Sequence, residues 1–147
     1  SAASDVYKRQ CIGCYSGASF ICDYAHHPRE ISATVATAEK MCAGKLYTIF
    51  QPHTYSRTKL LLEDFVRSLR VVPNLMIYKT YPAREYFDEE GSALTLAKNV
   101  GNCLYSESIR ELKTWLKNTV QAGDIVLFLG AGDVYYAAQH LLKELNK

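Results

Sequence analysis

A chain of 147 residues, 48% hydrophobic and 22% charged, has the length and composition of one globular domain able to build a core without disulfides or metal staples. Lys and Arg outnumber Asp and Glu by only 17 to 15, a net charge of +2, so the basic patch expected of a nucleic-acid binder is missing. No apolar run approaches the ~20 residues of a bilayer-spanning helix, and no secretory leader is legible.

In chain order, Ser1 to Gln10 show neither helical nor strand periodicity. They resemble a non-native adapter or cloning scar and are set aside, leaving residues 11–147 as the domain. Cys11 to Gly17 reads as the remnant of a hairpin or edge strand with Ser16-Gly17 at its turn. The run Ser19-Phe20-Ile21-Cys22 is a strand, followed by the polar loop Asp23-Tyr24-Ala25-His26-His27-Pro28. Pro28 suits the first turn of a helix whose inward stripe is Ile31, Val35, Ala38 and Cys42, stopped by Gly44 as a left-handed cap.

A second strand, Lys45 to Phe50, ends in Gln51-Pro52-His53-Thr54-Tyr55-Ser56-Arg57. Leu61, Phe65, Val66 and Leu69 then line one helix. A third strand, Leu75 to Thr80, precedes Tyr81-Pro82-Ala83-Arg84-Glu85. Asp88-Glu89-Glu90 reads as a solvated acidic turn, and Ser92 caps a helix running to about Val100. Cys103-Leu104-Tyr105 is a short strand. Ser106 is predicted to cap the helix bearing Ile109, Leu112, Trp115, Leu116 and Val120. The strand Ile125 to Leu129 leads through Gly130-Ala131-Gly132-Asp133 into a last helix with Val134, Ala138, Leu141, Leu142 and Leu145.

This alternation predicts an α/β, Rossmann-like fold: a mainly parallel sheet flanked by helices on both faces. Loops that follow parallel strands emerge at one edge of the sheet, where ligands bind. The loops at Asp23, Gln51 and Gly130 are therefore expected to share one polar rim. The five cysteines, an odd number with Cys22 in a strand and Cys42 in a helix, read as free thiols of a reducing compartment.

Each loop has a chemical and a structural reading. Asp23 can bind a hydroxyl or a helix-start amide, Tyr24 can stack on a base, and His26 and His27 can reach different partners; the same residues can equally serve as caps. His53, Tyr55 and Arg57 at alternate positions would share one side of an extended loop, a set suited to a carboxylate or phosphate. Gly130-Ala131-Gly132-Asp133 allows close approach to backbone amides at a helix start, or is simply a tight packing turn. It is not a G-x-G-x-x-G fingerprint, and no G-x-x-x-x-G-K-[ST] loop occurs in the sequence. Cys11-x-x-Cys14 with Cys22 and His26 is a weaker zinc alternative.

The run Asp23-Tyr24-Ala25-His26-His27-Pro28-Arg29-Glu30-Ile31 resembles the DYAHHPxEI signature of the Mur ligases. With Phe50-Gln51-Pro52-His53-Thr54-Tyr55-Ser56-Arg57-Thr58, Tyr81 to Glu85 and Gly130 to Asp133, the chain from about Gly17 onward is similar to the C-terminal domain of that family.

The resemblance implies part of an ATP-dependent ligase of bacterial peptidoglycan synthesis, working in the cytoplasm. It would join L-alanine to the lactyl carboxylate of UDP-N-acetylmuramate through an acyl phosphate. The resemblance places Asp23, Tyr24, His26 and His27 against the nucleotide, and makes His53 and Arg57 catalytic. It puts Tyr55, Gly130, Ala131, Gly132 and Asp133 against substrate. No metal ligand is assigned here: Mg2+ would be held mainly by a central ATPase domain that the 147 residues do not contain, nor do they contain the N-terminal UDP-binding domain. Thr54 stands where some members carry Arg. A lone domain of this kind is expected to be inactive; the competing reading is a stand-alone nucleotide-binding or regulatory module.

Overall fold

The computed structural model describes residues 9–147. Six strands form one sheet in the order β1-β2-β6-β3-β4-β5. They are β1 (Arg9–Tyr15), β2 (Ala18–Asp23), β3 (Leu46–Phe50), β4 (Leu75–Tyr78), β5 (Leu104–Ser106) and β6 (Ile125–Leu129). β1 is antiparallel to β2, and the other pairings are parallel. The helices are α1 (Pro28–Met41), α2 (Tyr55–Leu60), α3 (Leu62–Leu69), α4 (Ala93–Val100), α5 (Ile109–Thr119) and α6 (Val134–Leu145), with a 3₁₀ turn at Glu89–Gly91. None of the described helices is long and apolar enough to cross a membrane.

A parallel strand buried on both faces calls for apolar side chains; β4 and β6 supply them at every position, and β3 at every position but the buried Thr48. Along β6, Ile125, Leu127 and Leu129 enter one core while Val126 and Phe128 enter the other. The first core is closed by Ile31 and Val35 of α1, Phe65 and Leu69 of α3 and Leu96 of α4. The second is closed by Leu112 and Leu116 of α5 and Ala138 and Leu141 of α6. The expected helices on both faces are present.

The chain runs outward from β2 to β3, β4 and β5 with α1, α3 and α4 on one face. It then returns across the other face through α5 and inserts β6 between β2 and β3. That reversal makes β2, β6 and β3 neighbours, and a topological switch point of this kind is where open α/β sheets bind ligands.

The structure corrects four expectations. Residues 1–8 of the segment set aside lie outside the described residues, but Arg9 and Gln10 belong to the domain: they sit in β1 opposite Asp23 and Cys22. The single helix expected around Leu61 is two, because Leu61 (φ −107, ψ 22) breaks the helical path between α2 and α3. α1 ends on Cys42 in extended conformation rather than on a left-handed Gly44. Gly44 instead donates its N–H to the Gly123 carbonyl at 2.8 Å, so close that a Cβ would collide with Asp124. Ser108, not Ser106, caps α5, accepting the Glu111 N–H at 3.2 Å. Ser106 is buried in β5, where its hydroxyl donates to the Ser108 carbonyl at 2.9 Å.

Candidate functional site

Asp23, Leu129 and Phe50 lie side by side at the ends of β2, β6 and β3, so the chain leaves three neighbouring strands at one level. Main-chain hydrogen bonds tie the outgoing loops together. The Gly130 N–H donates to the Asp23 carbonyl (3.2 Å), and the Gln51 N–H to the Leu129 carbonyl (2.9 Å). The loop after β4 joins them: the Tyr81 N–H donates to the Pro52 carbonyl (2.9 Å) and the Thr54 N–H to the Tyr81 carbonyl (3.2 Å). The Gln51 amide Nε2 completes the stitching, donating to Asp133 Oδ1 at 2.7 Å and to the Lys79 carbonyl at 3.2 Å. The rim expected from the sequence therefore exists, with the Tyr81 loop as an added member.

In the first loop the structural readings account for two residues. Asp23 is buried; its Oδ1 accepts the Ala25 N–H at 2.8 Å and its Oδ2 accepts Arg9 Nε at 3.4 Å. His27 is the N-cap of α1, its Nδ1 accepting the Arg29 N–H at 3.3 Å while Glu30 Oε1 accepts the His27 N–H at 3.1 Å, a capping box built on histidine. His26 and Tyr24 remain available to a ligand. His26 Nδ1 meets the Tyr24 carbonyl at 2.9 Å, and its ring lies 6.3 Å from that of His53. Tyr24 is 57% exposed at the mouth of a cavity of about 140 Å³ that Gly130, Gly132, Tyr135 and Tyr136 also line.

The second loop departs from the extended geometry expected of it, because the chain turns helical at Tyr55. Tyr55 consequently leaves its neighbours and packs edge-on against Phe87, with centroids 5.5 Å apart. The turn is made by Thr54 (φ 68, ψ 159), a β-branched residue in a region that is nearly exclusive to glycine and costs about 1–3 kcal/mol to occupy. On one side of it the His53 ring stacks on Tyr81, 5.4 Å between centroids and 25° between planes. On the other, the half-buried Arg57 guanidinium makes no ion pair or hydrogen bond among the described residues. Burial first, then Arg57 and His26, push the His53 imidazole below its usual range, with Glu85 pulling weakly the other way. His53 is thus neutral at neutral pH, and its Nδ1 is buried without a hydrogen-bond partner among the described residues.

The glycines of the third loop are required by packing. A Cβ on Gly132 would collide with the Tyr81 ring, and one on Gly130 would press on the Gln51 carbonyl oxygen at 3.1 Å. Asp133 takes the N-cap position of α6 without a side-chain cap bond, its carboxylate being turned to Gln51. Ala131 is half-buried beside it. Gln51, Tyr81, Ser56 and Glu85 are the site residues that sequence reasoning left without a role; their partners are distant in the chain, and no local pattern announces them.

The zinc alternative does not assemble. Among the described residues no group of three or more His, Cys, Asp or Glu side chains is placed to hold a metal ion. Cys11 and Cys14 are exposed on β1. Cys22 faces the core with Phe20, and burial, reinforced by Cys11 and Asp23, pushes its thiol up to about 12.

Fold and rim define an open α/β domain with an edge of His, Arg and Gly-rich loops at a topological switch point, the kind of place where such sheets bind ligands. Residues 9–132 match the family model described as Mur ligase, glutamate ligase domain, and the chain belongs to that family. It is 43% identical over 138 residues to the UDP-N-acetylmuramate–L-alanine ligase of Alkaliphilus metalliredigens, an alignment covering 90% of this chain and 30% of the relative. The chain thus spans about three-tenths of the length of that relative. Among solved structures, UDP-N-acetylmuramate-alanine ligase from Thermotoga maritima superposes with a TM-score of 0.63 at 25% identity, over 89% of this chain and 27% of that one. The murein peptide ligase from Psychrobacter arcticus shares the fold with a TM-score of 0.72 at 20% identity, over 94% of this chain and 29% of that one.

Proposed function

We propose that this chain is the C-terminal domain of an ATP-dependent ligase that joins L-alanine to UDP-N-acetylmuramate in the bacterial cytoplasm, and that it acts as the lid over an ATP-bearing domain. The observation that carries the reading is the Arg57 guanidinium, unpaired among the described residues, beside a neutral, stacked His53 on the rim. A guanidinium offers a planar fork of donors suited to the alanine carboxylate or to a phosphoryl group. A neutral imidazole can accept a hydrogen bond or a proton from the attacking amine. ATP, when bound, supplies the phosphoryl group that activates the lactyl carboxylate. Tyr24 and His26 would flank the nucleotide, while Asp23 and His27 hold the loop that carries them.

Magnesium has no donor set among the described residues. His53 and Arg57 face charge that develops as the amine attacks the activated carboxyl, where a preorganised donor is worth about 10²–10³ in turnover. The test is a hybrid ligase in which this domain replaces its counterpart in the Alkaliphilus relative. His53→Ala and Arg57→Ala should each lower kcat by about 10²-fold or more, with circular dichroism unchanged. Full activity in both folded variants would refute the assignment.

A further inference from the structure

Thr54 holds a costly left-handed backbone conformation, and a group on another loop contacts the turn immediately after it. The Glu85 carboxylate accepts the Ser56 N–H through Oε1 at 2.9 Å and the Ser56 hydroxyl through Oε2. It thereby grips the first turn of α2 immediately after Thr54. Beyond the helix start, Thr54 Oγ1 accepts the Arg57 N–H at 3.4 Å and the Thr54 carbonyl accepts the Thr58 hydroxyl at 2.8 Å. Before it, His53 bridges to Tyr81 in a parallel β-bridge and stacks on its ring. The loop from Tyr81 to Glu85 thus holds both flanks of Thr54, with Ala83 in left-handed conformation (φ 55) at its bend.

We propose that Glu85 is a positioning residue: by clamping Ser56 it keeps the strained turn at Thr54 closed and so fixes the relative placement of His53 and Arg57 on the rim. The significance of that placement rests on the ligase reading, but the clamp itself is a matter of geometry and can fail or stand independently of turnover.

The chain has four histidines, so their ring resonances can be assigned and followed in an NMR titration of the 147-residue protein. His53 carries two signatures: an upfield displacement from the Tyr81 ring stacked on it, and a protonation midpoint set by burial, Arg57, His26 and Glu85. Glu85→Gln removes a negative charge and weakens the clamp; the His53 midpoint should fall and its ring-current displacement should shrink. Ser56→Ala keeps the carboxylate and removes one of its two bonds to Ser56. It should shrink the ring-current displacement as well, which a purely electrostatic role for Glu85 would not do.

No variant is needed for the third readout. As Glu85 is protonated, below the ordinary carboxylate range because Ser56 donates to it, the Ser56 amide and the His53 ring should shift together at one midpoint. A His53 ring whose stacking signature survives in the folded variants, or which ignores Glu85 protonation in the unmodified protein, would overturn the proposal.

Discussion

Cys14 and Cys22 lie on neighbouring strands of one hairpin and differ sharply in chemistry. Cys14 is exposed on the edge strand β1, whereas Cys22 sits inside a core beside Phe20 with its thiol pushed up to about 12. At about pH 8 a thiol raised that far is about one ten-thousandth thiolate, and burial also keeps reagent from it. Iodoacetamide should therefore modify Cys11 and Cys14 rapidly in the native protein and Cys22 only after denaturation, as peptide mass mapping will read. Native Cys22 reacting as fast as Cys14 would contradict the burial of β2. The alternation Phe20, Cys22 made this legible in sequence, since period-two positions share a face. The fate of Tyr55 was not legible: the same counting placed it beside His53 and Arg57, and the turn at Thr54 sent it to Phe87 instead. A strained residue looks like any other until the contact that holds it, here from a loop 29 positions away, is visible.

At the scale of elements, strands were easier to read than helix ends. β3, β4 and β6 are buried on both faces and appear in the sequence as apolar runs, interrupted only by Thr48 in β3, which few other environments demand. Helix starts depend on which of several competent side chains wins the exposed N–H groups. Ser106 and Ser108 both precede α5, and both can cap. Ser108 wins because Ser106 completes β5 next to Tyr78. Ser108→Ala should accordingly destabilise the domain by about 1 kcal/mol, the usual worth of an N-cap, measured by urea unfolding followed by far-UV circular dichroism. A change below about 0.3 kcal/mol would mean that Glu111 and its neighbours hold the helix start without the hydroxyl. The ends of α1 and α2 were illegible for a related reason. Gly44 answers to Asp124 and Gly123 across the sheet, and Leu61 answers to the change of direction between two short helices.

For the whole molecule, the order of strands is the step that local pattern cannot supply, and the site depends on it. Only because β6 is inserted between β2 and β3 do the Asp23, Gln51 and Gly130 loops meet. The resulting rim lies along one edge of the sheet. It offers the Arg57 guanidinium, the neutral His53 and the exposed Tyr24. Yet the sequence has no phosphate-cradling G-x-x-x-x-G-K-[ST] loop, and the described residues have no metal cluster. Charge-assisted hydrogen bonds from Arg57 add about 1.5–3 kcal/mol each, while association itself costs at least about 4 kcal/mol. Little surplus is left, so the isolated chain should bind ATP or ADP with Kd weaker than about 1 mM, equivalent to less than about 4 kcal/mol. Isothermal calorimetry at high protein concentration reads this directly. Micromolar binding would mean that the rim holds a nucleotide unaided, making the domain a nucleotide-binding module in its own right. Absence of measurable heat, together with turnover recovered in the hybrid ligase, places the affinity where the lid reading requires it: in the contact between this rim and an ATP-bearing partner domain.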